Sequence, residues 1–413
     1  MFCVHSTFIF VRFCSHFLTF PLLSTLLTPF LQSYLVALAV GNLSSRRVGP
    51  RSHIWCEPEL VDAAAAELVD TERFISIGES LMGPYEWGTY DVLVLPSSFP
   101  YGGMENPCLT FVSPSIIAGD RSLVSVVAHE VAHSWTGNLV TARTWEHFWL
   151  NEGFTVYLER RILGEMFGEK ARQFDAILGW KDLEDAVARQ PAPLTALVPS
   201  LAGGVDPDDA FSSVPYEKGF AFFYHVETLV GGPRAMDPFL RAYAAAFRHK
   251  SIATDDLRAL LEQHFPAKTL ESIDWATWVN APGMPPVKHA YDDSLAKAAG
   301  DLAEAWRSAG DRPSGADQWE SFSTDQRVYM LQRLDEAEPR LGHVVIEKLE
   351  SAYGLNAVRN SEVRFNWQKL ALHSGWTPVF PHVVDFITSI GRMKFVIPLY
   401  LYAYWCIYVL LTW

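Results

Sequence analysis

Cysteine is scarce in this sequence and carries no pairing pattern. Five cysteines, an odd number, are scattered at Cys3, Cys14, Cys56, Cys108 and Cys406 of a 413-residue chain. None are spaced as C-x-x-C, so the pattern indicates free thiols in a reducing compartment rather than a disulfide frame or a cysteine metal cluster. Basic charge is also in deficit. Lys and Arg number 33 against 47 Asp and Glu, a formal net charge of −14, which speaks against a nucleic-acid partner, whose footprint would be basic. Lys, Arg, Asp and Glu are all missing from residues 13–45 and again from 395–413. Each stretch is long enough to span a bilayer, which takes about 20 apolar residues. The first also has the outline of a secretory signal, with Arg12 ahead of an apolar run, but Pro21 and Pro29 interrupt it as a helix. Buried strands and a mispredicted gene boundary are the other readings of these ends.

At 413 residues the chain has room for two or three domains, and with 49% of its residues hydrophobic it can bury a core. Residues 33–42, 52–56, 90–95 and 109–112 read as strands, and residues 58–81 as one helix stopped by Gly83-Pro84. Helical patterns follow over 122–136, 151–167, 174–189, 215–229, 236–247 and 254–264, the last capped by Thr254-Asp255-Asp256. Ala281-Pro-Gly-Met-Pro-Pro286 reads as a linker. Beyond it short helical segments succeed one another over 294–308, 317–322, 326–334, 344–352, 361–374 and 381–390, which suggests an α-solenoid-like domain packed on the first. The fold class expected is α+β, mainly α.

The densest chemistry lies in His129-Glu130-Val131-Ala132-His133. Histidines at i and i+4 share one helix face, so both imidazoles can reach one metal ion while Glu130 stays free as a general base on a water. The 18 residues between His133 and Glu152 allow a turn and a second helix that returns a carboxylate to the same point. Two histidines, one carboxylate and an open position are the makings of a catalytic zinc site. Leu123, Val126, Val127, Val131 and Ala132 mark the helix as buried, against the bland reading of two idle surface histidines. Position 139 is Leu, so the third histidine of a different zinc-protease class is missing.

Three further segments bear on this centre. Gly102 and Gly103 allow close backbone approach to a ligand, and Glu105 puts a carboxylate nearby that suits a free α-amine; an ordinary turn with a surface Glu is the plain alternative. Tyr216, at the start of a helix, can donate to a developing oxyanion or be a satisfied buried phenol. Glu159, at i+7 from Glu152, can orient a zinc-binding histidine or pair with Arg160 or Arg161. His147, His225 and His249 lack ligand spacing and read as structural.

These motifs together resemble the gluzincin aminopeptidases, and the leukotriene A4 hydrolase branch of that family in particular. The resemblance rests on Gly102-Gly-Met-Glu-Asn106, His133-Ser-Trp-Thr-Gly-Asn-Leu-Val140, Trp145-Glu-His-Phe-Trp-Leu-Asn-Glu-Gly153, Val156-Tyr-Leu-Glu-Arg160 and Ser212-Ser-Val-Pro-Tyr-Glu-Lys-Gly219, in that order, and covers residues 33–395. It implies a thermolysin-like catalytic domain followed by a helical solenoid. It implies one Zn²⁺ held by His129, His133 and Glu152, with Glu130 as base and Tyr216 as oxyanion donor. Gly102, Gly103, Met104 and Glu105 would hold the substrate's amino end. Asp208 matches an acidic residue of the family's pocket, and Arg392 and Lys394 match basic residues that receive a peptide's C-terminal carboxylate. Substrates would be short peptides such as tripeptides, with a lipid epoxide as a weaker second substrate. Phe211 stands where the leukotriene A4 hydrolase branch has a tyrosine in the pocket, which implies changed or weak epoxide-hydrolase activity. The implied division is an apolar segment over 1–32 unlike the family (a gene-model artefact, signal or anchor), the end of an N-terminal β-domain over 33–48, a catalytic domain over 49–281, a linker over 282–293, a helical domain over 294–394 and an apolar tail over 395–413. The location implied is cytoplasmic, with the nucleus as an alternative and membrane attachment only through the apolar ends. The rival readings are a zinc endopeptidase and a catalytically impaired chain that serves as a binding scaffold.

Overall fold

The computed structural model describes residues 7–12, 23–26 and 32–412. The expectations for the rest of residues 1–32 lie outside the described residues. Strands β1 (Thr7–Arg12), β2 (Leu23–Leu26) and β3 (Val40–Gly41) form a small sheet in the order β2-β1-β3. The strand expected over 33–42 is therefore confined to Val40–Gly41, and Ser33–Leu35 forms a 3₁₀ turn instead.

A five-stranded sheet underlies the first unit. Its strands are β4 (Ser44–Arg47), β5 (His53–Cys56), β6 (Asp91–Val94), β7 (Gly103–Met104) and β8 (Leu109–Val112), in the order β4-β5-β6-β8-β7. β5, β6 and β8 run parallel, and β7 closes one edge antiparallel to β8, with Gly103 opposite Val112 and Met104 opposite Phe111. That edge strand, flanked by Gly102 and Glu105, packs beside the helix that bears His129 and Glu130.

The single helix expected over 58–81 is two, α1 (Val61–Glu67) and α2 (Thr71–Met82). The break has a tertiary cause. The Glu67 carboxylate accepts from the backbone N–H groups of Ala118, Gly119 and Arg121 at 3.3, 2.9 and 2.9 Å. At the break the Leu68 carbonyl accepts both the backbone N–H and Oγ1 of Thr71, at 3.2 and 2.7 Å.

The rest of the first unit is helical: α3 (Ser125–Ala132), α4 (Trp149–Phe167), α5 (Glu169–Arg189), α6 (Gly219–Val230), α7 (Pro233–Phe247), α8 (Thr254–His264), α9 (Ala267–Leu270) and α10 (Trp275–Asn280). Two strands, β9 (Val140–Ala142) and β10 (Lys250–Ile252), pair in parallel beside them. The segment expected to begin α6 as ordinary helix at 215 opens instead with a wide π turn, Val214–Lys218. At α8 the expected cap moves by one residue. Ala253 is the cap, its N–H donates to the Asp256 carboxylate at 2.8 Å, and Thr254 is already helical.

Two large hydrophobic cores divide the described residues. The first runs from Leu35 to Val279 and the second from Ala299 to Leu399. The second unit is α11 (Ser294–Ala309), α12 (Thr324–Asp335), α13 (His343–Tyr353), α14 (Ser361–His373), α15 (Phe380–Ser389) and α16 (Met393–Thr412), with a 3₁₀ turn at Ala316–Ser321 where a helix was expected. The boundary expected at 394 falls inside α16, whose Phe395 and Leu399 are buried in the second core. No helix among the described residues is long and apolar enough to cross a membrane.

Candidate metal centre

Helix α3 lies under the sheet edge and is buried through Val127, Ala128, Val131 and Ala132. Its remaining face presents His129 and His133, whose Nε2 atoms face each other at 3.1 Å. Helix α4 crosses it and sets the Glu152 carboxylate at 3.5 Å from His129 Nε2 and 3.3 Å from His133 Nε2. The three donor atoms converge within 4.8 Å of one another. Glu152 Oε2 is buried without a hydrogen-bond partner, an arrangement that costs free energy unless a cation completes it. Two imidazole nitrogens and one carboxylate oxygen, converging in a buried position, fit Zn²⁺ with a fourth position open.

The outer nitrogens are engaged. His129 Nδ1 lies 2.9 Å from Glu159 Oε2, and His133 Nδ1 lies 2.8 Å from the Thr136 carbonyl and 3.1 Å from Thr155 Oγ1. An N–H on each Nδ1 leaves each Nε2 lone pair for the metal. A Cβ at Gly137, whose φ is +127°, would sit 2.8 Å from His133 Nδ1, so the turn after α3 needs glycine there. Of the two readings of Glu159, the structure places the histidine-facing one. Arg160 is taken by Asp175 and Glu217, and Arg161 by Asp237.

Glu130 lies against the edge strand, with a carboxylate oxygen within 4.8 Å of a His133 ring nitrogen. A Cβ at Gly103 would collide with its carboxylate, and its Oε2 is buried and unpartnered. Burial raises the Glu130 carboxyl, against the pull of His129 and His133. Glu105 is buried beside it, with one carboxylate oxygen in the same 4.8 Å cluster as Glu130 and His133. Burial raises the Glu105 carboxyl too, opposed by His133. Tyr216, on the π turn, stacks on the His129 ring at 6.1 Å between centroids. Burial and then the carboxylates of Glu152, Glu105 and Glu130 push its phenol well above the usual value, so it keeps its proton as a donor.

The other predicted residues divide. Arg392 lies beside the edge of the sheet: a Cβ on Gly102 would meet its Nη2 at 2.6 Å, and its Nη1 donates to Ser115 Oγ at 3.2 Å. Lys394 is half exposed and donates to Glu362 at 2.7 Å, and the same carboxylate oxygen is 4.0 Å from Arg392. Met104 lies on β7. Asp208 is exposed and helps line a pocket of ≈ 230 Å³ with Trp145, Phe148, Phe211 and Pro215, next to Tyr216. Sequence reasoning missed Thr155, Ser115 and Glu362. Thr155 had a signal, since it follows Glu152 at i+3; Ser115 and Glu362 had none, because only the tertiary fold brings them to Arg392.

Comparison with known proteins matches residues 67–278 to the Peptidase family M1 domain and residues 322–404 to the Leukotriene A4 hydrolase, C-terminal domain. A leukotriene A-4 hydrolase of Xenopus laevis is 50% identical over 376 residues, 89% of this chain and 61% of that protein. A leucine aminopeptidase 2 of Emericella nidulans is 45% identical over 378 residues, again 89% of this chain and 61% of the relative. Among solved structures, yeast LTA4 hydrolase in complex with bestatin superposes with a TM-score of 0.82 at 40% identity, over 87% of this chain and 62% of that one. The chain thus spans about six-tenths of the length of the relatives it matches.

Proposed function

Because this chain belongs to peptidase family M1, we propose that it is a zinc-dependent aminopeptidase that removes N-terminal residues from short peptides such as tripeptides. The observation that carries this reading is the buried Glu105 carboxylate beside the Glu130 and His133 donors. It closes the cleft on the amino side with negative charge, which favours a free ammonium group there over a continuing chain.

Zinc, when bound by His129, His133 and Glu152, supplies Lewis-acid polarisation of a carbonyl and lowers the pKa of a water. The chain's own residues do the rest. Glu105 takes the α-ammonium, and the Gly102-Gly103 backbone lets the peptide lie close. Glu130 accepts the proton of the attacking water and returns it to the leaving amine. Tyr216 donates from its phenol to the developing oxyanion, a role for which loss of one donor costs roughly 10²–10³-fold in rate. Arg392, with Lys394, receives the peptide's carboxylate. With Glu105 at one end and Arg392 at the other, the cleft favours short peptides.

The test is release of alanine from trialanine by the purified chain, with zinc content measured alongside. The expected result is activity with about one zinc per chain, no cleavage of N-acetyl-trialanine, and a zinc-loaded but inactive Glu130→Gln variant. Zinc uptake with silent wild type would put the binding-scaffold reading ahead. The aromatic pocket lined by Trp145, Phe148 and Phe211 favours a second, weaker activity on a lipid epoxide, whose apolar chain it suits.

A further inference from the structure

Helix α4 carries more than the third metal ligand. Eight residues after Glu152, Arg160 points at the turn that bears Tyr216. Its Nη1 and Nη2 grip the two carboxylate oxygens of Glu217 at 2.7 and 3.0 Å, while its Nε donates to Asp175 on α5 at 2.5 Å. The Arg160 side chain is 3% exposed and its guanidinium lies 4.1 Å over the Phe220 ring. Burial alone would lower the Arg160 pKa, but Glu217 and Asp175 outweigh it and raise it, so the guanidinium stays charged. Glu217 is the neighbour of Tyr216 within the π turn Val214–Lys218, a wide helical turn of a kind that concentrates at functional sites. A second contact fixes the same turn. A Cβ on Gly153, the residue after Glu152, would lie 2.5 Å from Gly219 Cα and 2.9 Å from the Pro215 carbonyl. Space for the ion pair is reserved from the far side as well: a Cβ on Gly179 of α5 would collide with both Glu217 Oε2 and Arg160 Nη2.

We infer that the Arg160–Glu217 pair is a positioning clamp that locks the π turn to α4 and so holds the Tyr216 phenol in register with the Glu152 side of the metal centre. The inference rests on the role proposed for Tyr216. The physical reason is that one rigid helix then carries both the metal ligand and the anchor of the oxyanion donor. Their separation is then set by α4 rather than by the 191–213 segment that leads into the turn. A bidentate, buried guanidinium–carboxylate pair is suited to this because it fixes angle as well as distance.

The test is steady-state cleavage of trialanine by the full chain carrying Arg160→Lys, Glu217→Gln or Gly179→Ala, each also combined with Tyr216→Phe. Lysine keeps the charge and loses the fork. Gly179→Ala leaves every side chain of the centre intact and presses on the clamp from behind, so it serves if the Arg160 variant fails to fold. Each single variant should bind zinc normally and lose kcat by about 10- to 100-fold with KM unchanged, the signature of a misplaced group needed only in the transition state. In the Tyr216→Phe background the same substitutions should add almost nothing. A tetrahedral phosphinic tripeptide should bind the single variants more weakly, while trialanine bound to a Glu130→Gln background should not. Additive losses, raised KM or lost zinc would overturn the clamp. If Tyr216→Phe alone leaves kcat intact, the proposed role of Tyr216 fails and the clamp falls with it. A normal Tyr216 effect with additive Arg160 effects sinks the clamp alone.

Discussion

Glu159 Oε2 sits 2.9 Å from Nδ1 of His129, and the helix that delivers it also delivers Glu152 two turns earlier. The carboxylate is therefore placed to set the tautomer and ring angle of one candidate metal ligand from the helix that supplies another. Glu159→Ala should weaken zinc affinity by roughly 10–100-fold, and Glu159→Gln, which keeps an acceptor but loses the charge, by less. Competition with a chromogenic chelator reads both. Unchanged affinity in Glu159→Ala would mean that α3 alone orients His129.

Glu105 separates an exopeptidase from an endopeptidase with the same donors. Losing a charge-assisted contact of about 1.5–3 kcal/mol in Glu105→Gln should cut kcat/KM for trialanine by about tenfold or more. Zinc content should stay the same, because Glu152 rather than Glu105 closes the ligand triangle. Internal cleavage of an N-acetylated peptide at a rate untouched by Glu105→Gln would instead support the endopeptidase reading.

How far the sequence could be read follows from how local each feature is. His129, His133 and Glu130 were legible because i, i+4 geometry belongs to any helix. Glu152 was legible because its spacing allows an antiparallel return. Glu159 was readable only as one of two options, since the choice depends on Glu217, Asp175 and Asp237 occupying the neighbouring arginines. The break between α1 and α2 was hidden because Glu67 is drawn to backbone N–H groups about fifty residues away. Residues 395–399 looked like the start of an apolar tail. In the fold, Phe395 and Leu399 face the second core from α16, which the absence of charge could not distinguish from membrane or strand.

Lys218 shows a similar blind spot and carries a stability prediction. It follows Tyr216 by two residues, is 0% exposed, and donates from Nζ to the carbonyls of Thr195, Ala281 and Gly283 at 3.0, 2.8 and 2.8 Å. It thereby ties the linker to the catalytic unit. Lys218→Met keeps much of the apolar stem but strands three buried acceptors, so stability should fall by roughly 2–4 kcal/mol. Chemical denaturation reads the loss. A change below about 0.5 kcal/mol, the usual range of surface substitutions, would show that water replaces the ammonium at no cost.

Asp335 gives the second unit a pH dependence with a definite sign. Its carboxylate, 6% exposed, accepts from His373 Nδ1 at 2.6 Å and lies 3.2 Å from Lys369 and 3.4 Å from Arg340. Burial alone would raise its pKa. His373 and Lys369 outweigh that and hold it below its ordinary value of 3.8. A carboxyl depressed in the folded state binds fewer protons there than when unfolded. Its stabilisation is therefore complete above pH 3.8 and is lost as the pH falls through the lower, folded value. Asp335→Asn should thus destabilise α12–α14 packing at pH 7, and the gap from wild type should close below pH 3.8. Urea midpoints measured at pH 7, 5 and 3 by the fluorescence of Trp367 and Trp376, which lie in that core, test this directly. A gap that stays constant across the three values would show that the Asp335 cluster stabilises by packing and neutral hydrogen bonds rather than by its charge.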